Sequence, residues 1–144
     1  MKSNLTLALC LLIVVSCSIA ASAVERESPL RVGTFVVDAS PPVGSPLAYN
    51  RCDAVGMPLT ARGIVLLGKD DPIVLCAVDW IGISNGGYDE WRETIAKAVN
   101  TSPQRVSVHA LHQHDAPVCD FSAVELLDEQ GYQGTMFDVD FARQ

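Results

Sequence analysis

Basic residues are scarce in this chain: 10 Lys and Arg stand against 17 Asp and Glu, a net charge of −7 over 144 residues. They form no cluster, and neutralising a phosphate backbone needs one, so nucleic acid is excluded as a partner. Aromatic side chains make up only 6%, yet hydrophobic residues reach 49%, too many for a disordered chain. Long apolar runs are missing as well. The stretch Leu5 to Val15 falls short of the roughly 20 residues that a membrane-spanning helix requires.

That short run has another use. It follows a lone cation, Lys2, and precedes the small residues Ala21-Ser22-Ala23, which is the layout of a cleavable signal peptide. Residues 1–23 are therefore expected to be a signal and 24–144 the mature domain, with a net charge of −8 once Lys2 is gone. A competing pattern, Val14-Val15-Ser16-Cys17, resembles the box before a lipidated cysteine and would anchor the protein at Cys17. Both readings place the protein outside the cytoplasm, as a secreted or periplasmic protein or as a lipoprotein.

Cys10 and Cys17 fall in the signal, which leaves Cys52, Cys76 and Cys119. Three thiols allow at most one internal disulfide. Cys76 sits in an apolar run and reads as a small buried hydrophobe. Cys52 and Cys119 fall in loops, and an export destination permits them to pair.

Along the mature chain, Arg31 to Asp38 reads as a strand, and the proline-rich Ala39 to Pro46 as a loop. Leu47 to Pro58 is irregular. Thr60 to Leu67 and Pro72 to Asp79 flank Gly68-Lys69-Asp70-Asp71 and predict a hairpin. Ser84-Asn85-Gly86-Gly87 breaks the chain before a helix expected from Tyr88 to Val99. Its inward face is Tyr88, Trp91, Ile95, Ala98 and Val99, with acids in its first turn. Arg105 to Ala110 predicts a strand, Leu111 to Asp120 a loop, and Ala123 to Glu129 a further helix. The expected fold is α/β, a layered β-sheet of at least four strands with packed helices.

All three histidines lie in His109-Ala110-Leu111-His112-Gln113-His114. On a strand, residues i and i+2 share a face, so His112 and His114 are expected to converge at the strand end. Paired imidazoles suit Zn²⁺. His109 is expected to turn away and serve as a core histidine held by backbone. Asp115, Cys119 and Asp120 are capable ligands or acid–base groups nearby. Asp79 ends an apolar strand; it either faces the site or caps the Ser84–Gly87 region.

Four pieces taken in order resemble the N-terminal part of the neutral/alkaline non-lysosomal ceramidase family. They are Val32-Gly33 through Asp38-Ala39-Ser40-Pro41-Pro42, Thr60-Ala61-Arg62-Gly63-Ile64-Val65, Ile73 to Asp79 with Ile81-Gly82-Ile83-Ser84, and Val106 to Pro117. The last carries His112-Gln113-His114-Asp115-Ala116-Pro117, similar to the family's His-Thr-His-Ser-Gly-Pro signature. The resemblance spans roughly residues 31–120. It implies that His112 binds zinc and that catalytic His114 steadies transition-state charge, with Asp79 and Asp115 in or around the pocket. The remaining family ligands, a His, a Glu and a Tyr, come from downstream. Asp115, Cys119-Asp120 and His109 depart from the family pattern.

The resemblance thus implies the N-terminal portion of a larger catalytic domain, an exported zinc amidohydrolase that cleaves an N-acyl amide with a zinc-activated water. Its partner would be a small-molecule or lipid amide, with membrane contact through that substrate or through a lipidated Cys17. This portion alone is expected to be inactive. Two alternatives stand beside it: a non-catalytic secreted remnant or binding module of the same fold, and another His-x-His metallohydrolase.

Overall fold

Alternation of apolar and polar positions builds most of the computed structural model, which describes residues 29–144. The expected signal peptide and Cys17 lie outside the described residues. Strand β1 (Arg31–Asp38) pairs antiparallel with β2 (Thr60–Leu67), which turns through residues 68–72 into antiparallel β3 (Ile73–Val78). The chain then passes through β4 (Gly82–Ile83), helix α1 (Asn85–Val99) and a 3₁₀ turn at Pro103–Arg105 into β5 (Val106–Ala110). It continues through β6 (Val118–Cys119), α2 (Phe121–Glu129) and the short α3 (Val139–Ala142). The main sheet runs β1-β2-β3-β5 with β3 and β5 parallel, and β4 pairs with β6 in a small second sheet. A layered α/β arrangement with a four-stranded sheet and the expected hairpin is what forms.

One sheet face is core. Val74, Cys76 and Val78 of β3 and Val106 and Val108 of β5 point under α1 and are almost fully buried. Trp80 closes the cluster, 2% exposed, with its indole N–H donated to the Ala39 carbonyl at 2.9 Å. The opposite face carries Val32, Val36, Ile73 and Leu75, all exposed.

Helix α1 begins three residues earlier than its apolar spacing suggests. Gly86 and Gly87 do not break it; they let its first turn press against the next elements. A Cβ at Gly87 would lie 2.7 Å from the Cys119 carbonyl oxygen, and one at Gly86 would lie 2.9 Å from Ser122 Oγ. The earlier start leaves no acid in the first turn. The inward face also differs by one residue: Ala96 is buried and Ala98 is exposed. Tyr88, Trp91, Ile95 and Val99 pack as expected. Arg92 lies at the edge of that face, and its guanidinium donates to the carbonyls of Pro103 and Val106, fastening the entry of β5.

Candidate functional site

The histidine segment leaves the sheet before it reaches its chemistry. β5 ends at Ala110, and the next residues are gathered by backbone carbonyls of the β3–β4 connection. Leu111 N donates to Val78 O at 2.9 Å, His112 N to Trp80 O at 3.0 Å, and Gln113 N to the same Trp80 oxygen at 3.3 Å. Beyond the histidines, Ile81 N donates to Pro117 O and Ala48 N to Ala116 O. The loop is thus pinned at both ends to buried backbone.

Satisfying those bonds forces His112 into the left-handed region, with φ 65°. A residue with a Cβ pays about 1–2 kcal/mol for that conformation. The strain turns the imidazole back toward β4, where Nδ1 sits 3.0 Å from the Ile81 carbonyl oxygen. A carbonyl only accepts, so in the neutral imidazole the proton sits on Nδ1 and the lone pair on Nε2. The His114 ring lies 5.0 Å from that of His112, centroid to centroid, at 79°. The two imidazoles do come together, through a strained loop rather than by strand alternation.

The other sequence candidates separate into those near the pair and those away from it. His109 is not a core histidine: in β5 it alternates with buried Val108, and so it stands exposed on the open face of the sheet. Asp79 does not cap α1. Its carboxylate accepts from Thr60 N at 2.8 Å and Thr60 Oγ1 at 2.7 Å, and lies 3.8 Å from Arg62 Nη2. The Thr60 hydroxyl, its backbone amide and the Arg62 charge hold the Asp79 carboxyl below the usual range, against the opposing effect of burial. Asp79 lines an open cavity of about 990 Å³ together with Arg62, Gln113, His114 and Asp115. Arg51, Cys52 and Asp53 line it as well.

Cys119 and Asp120 are structural. Asp120 caps α2, accepting from Ala123 N at 3.0 Å, and also accepts from Asn85 Nδ2 at 2.5 Å. Cys119 is wholly buried against Gly87, and desolvation, followed by nearby Glu90 and Asp120, pushes its thiol up to about 12. The pairing of Cys52 with Cys119 does not form; both are buried free thiols, as is Cys76. Cys52 Sγ instead lies 3.9 Å from the Pro41 carbonyl oxygen and 3.8 Å from that of Ala54.

Sequence reasoning missed Tyr49, whose ring lies 5.4 Å from that of His114. It falls in the stretch that looked merely irregular. A lone tyrosine just after a proline-rich turn was the only signal available.

Among the described residues, no three His, Cys, Asp or Glu side chains stand together as a set able to hold a metal ion. His112 and His114 are the two imidazoles whose rings meet in this segment. No protein-family model matches the chain, and no curated protein matches it.

Proposed function

We propose that this chain is the N-terminal portion of an exported zinc amidohydrolase of the neutral/alkaline ceramidase type, acting on N-acyl amides. One observation carries the reading: His112 Nδ1 donates to the Ile81 carbonyl, which leaves Nε2 of the neutral ring as a lone-pair donor. Metal-binding histidines are commonly oriented by such a bond, which fixes the tautomer and the ring plane. Zinc held there supplies Lewis acidity toward an amide carbonyl and lowers the pKa of water. His114, on the cavity wall, donates a hydrogen bond to the oxygen where charge develops. Asp79, kept ionised by Thr60, orders the Arg62 side of the same cavity.

The exposed apolar face formed by Val32, Val36, Ile73 and Leu75 supports the portion-of-a-domain reading. Further chain would supply a cover for that face and, as the resemblance implies, the remaining His, Glu and Tyr donors. Export by the signal at residues 1–23, or anchoring at Cys17, would bring the protein to its amide or lipid-amide substrate. A second reading is a secreted binding module that has the scaffold without the chemistry.

The test begins with the reading frame beyond codon 144. Downstream His, Glu and Tyr donors, one zinc per protein by elemental analysis, and hydrolysis of an N-acyl amide support the hydrolase. A stop codon there, or a full-length protein that holds no zinc and cleaves no amide, refutes it and leaves the binding module.

A further inference from the structure

Tyr49 is 70% exposed, yet backbone bonds of its neighbours tie down the loop that carries it. Pro46 and Arg51 form an isolated antiparallel bridge, Leu47 N donates to Asn50 O at 2.8 Å, and Arg51 Nη1 ties back to the Gly44 carbonyl. This makes a four-residue tip. The tip is joined to the histidine loop by one bond, Ala48 N to Ala116 O at 3.2 Å, which sets Tyr49 opposite His114. Ala116 is wholly buried, so that joint is an anchored one. The rings of Tyr49 and His114 lie 5.4 Å apart at 51°, and His112 meets His114 at 5.0 Å. His114 thus meets two rings while it lines the cavity.

An exposed aromatic contributes little to the core, and nothing in the packing of this tip calls for a ring of that size. What the ring does meet is one imidazole, at a separation where aromatic pairs attract. From this geometry we infer that Tyr49 is a positioning residue. It fixes the orientation of the His114 imidazole toward an amide bound in the cavity, and acts on that substrate only through His114. The inference rests on the hydrolase reading for its consequence in turnover, but its structural half stands alone.

Two measurements test it. In the 144-residue chain, with zinc absent and pH fixed, NMR follows the imidazole carbon-bound protons of His109, His112 and His114. Tyr49→Ala and Tyr49→Leu should both move the His114 signals and leave those of His109 in place, while Tyr49→Phe keeps all three near their original positions. The leucine variant retains bulk without a ring, so a folding defect confined to alanine does not blur the outcome. Unmoved His114 signals in both ring-less variants overturn the inference. So does a movement of His109 as large as that of His114.

In the zinc-loaded full-length protein, hydrolysis of a chromogenic N-acyl anilide should show kcat lowered roughly 3- to 10-fold in the ring-less variants, the size of an aromatic contact. KM should be unchanged and Tyr49→Phe should restore the rate. A change in KM alone overturns the positioning role. Absence of hydrolysis in the unmodified protein refutes the hydrolase reading instead, and the NMR result then decides the inference by itself.

Discussion

His112 adopts φ 65°, and substitutions there separate backbone strain from ring chemistry. His112→Ala and His112→Gly both remove the imidazole and its bond to Ile81, so those losses cancel between them. Both keep the amide that donates to Trp80 O. What remains is the Cβ. In the left-handed region it costs about 1–2 kcal/mol, whereas glycine gives up about 0.5–1 kcal/mol through its freer unfolded chain. His112→Gly should therefore be the more stable of the two by about 1 kcal/mol. Position 114 is the control, because His114 is not among the residues with positive φ. There the order should reverse, with alanine ahead by about 0.5–1 kcal/mol. Urea unfolding followed by the fluorescence of Trp80 and Trp91 reads all four variants. With a slope of about 1–2 kcal/mol/M, the His112 pair should differ by roughly 0.5–1 M in midpoint. If His112→Ala is as stable as His112→Gly, the loop is not strained at this residue, and the account of how His112 is aimed fails with it.

The remaining predictions concern the support of the site and the chemistry proposed for it. Thr60→Val removes a hydroxyl that donates to the Asp79 carboxylate, at a cost of about 1.5–3 kcal/mol near neutral pH. Because Asp79 titrates below its unfolded value, its contribution is complete above that value, near 3.9, and is lost as pH falls through the folded one. The difference between Thr60→Val and the parent should accordingly fade in acid; a difference independent of pH would point to packing instead. Gly63→Ala would drive a Cβ into the backbone carbonyl of Leu75, which has no freedom to swing aside, and should lower stability by about 3 kcal/mol; an unchanged melting temperature refutes the register around Phe35, Gly63 and Cys76. Cys76 and Cys119, pushed up to about 11 and about 12 by burial, should resist a disulfide reagent at pH 8 until the protein unfolds, and rapid native labelling of either would contradict their placement. In the zinc-loaded full-length protein, His112→Ala should lose the metal, whereas His114→Ala should keep it and lower kcat by about 10²–10³-fold; loss of zinc from both variants would make both histidines ligands.

Elements with many repeats of one period were legible in the sequence. In β3, buried Val74, Cys76 and Val78 alternate with exposed Ile73 and Leu75, and an apolar run ending in a glycine–acid turn marks the hairpin without further information. Helix α1 was legible in its middle and not at its start. Gly86 and Gly87 are poor helix formers by propensity, but their place in the fold is decided by Cys119 and Ser122, more than 30 positions away. On the same helix Ala96 rather than Ala98 is buried, and two alanines carry no sequence signal to choose between them.

The site was legible in composition and not in geometry. Three histidines in six positions draw attention to themselves, and strand alternation offered a simple way for two of them to meet. Alternation stops at Ala110, however, and the meeting depends on the Trp80 and Ile81 carbonyls, which belong to a connection flanking a two-residue strand. A strand that short has no period to detect. Its position is set by its pairing with β6, which is just as short and lies beyond the histidines it helps to place. The same dependence explains Tyr49: it is set opposite His114 by one backbone bond between Ala48 and Ala116, residues that are side-chain-poor and carry no pattern. Where a functional side chain is aimed by main-chain carbonyls, residue types can nominate it, but only the path of the chain can aim it.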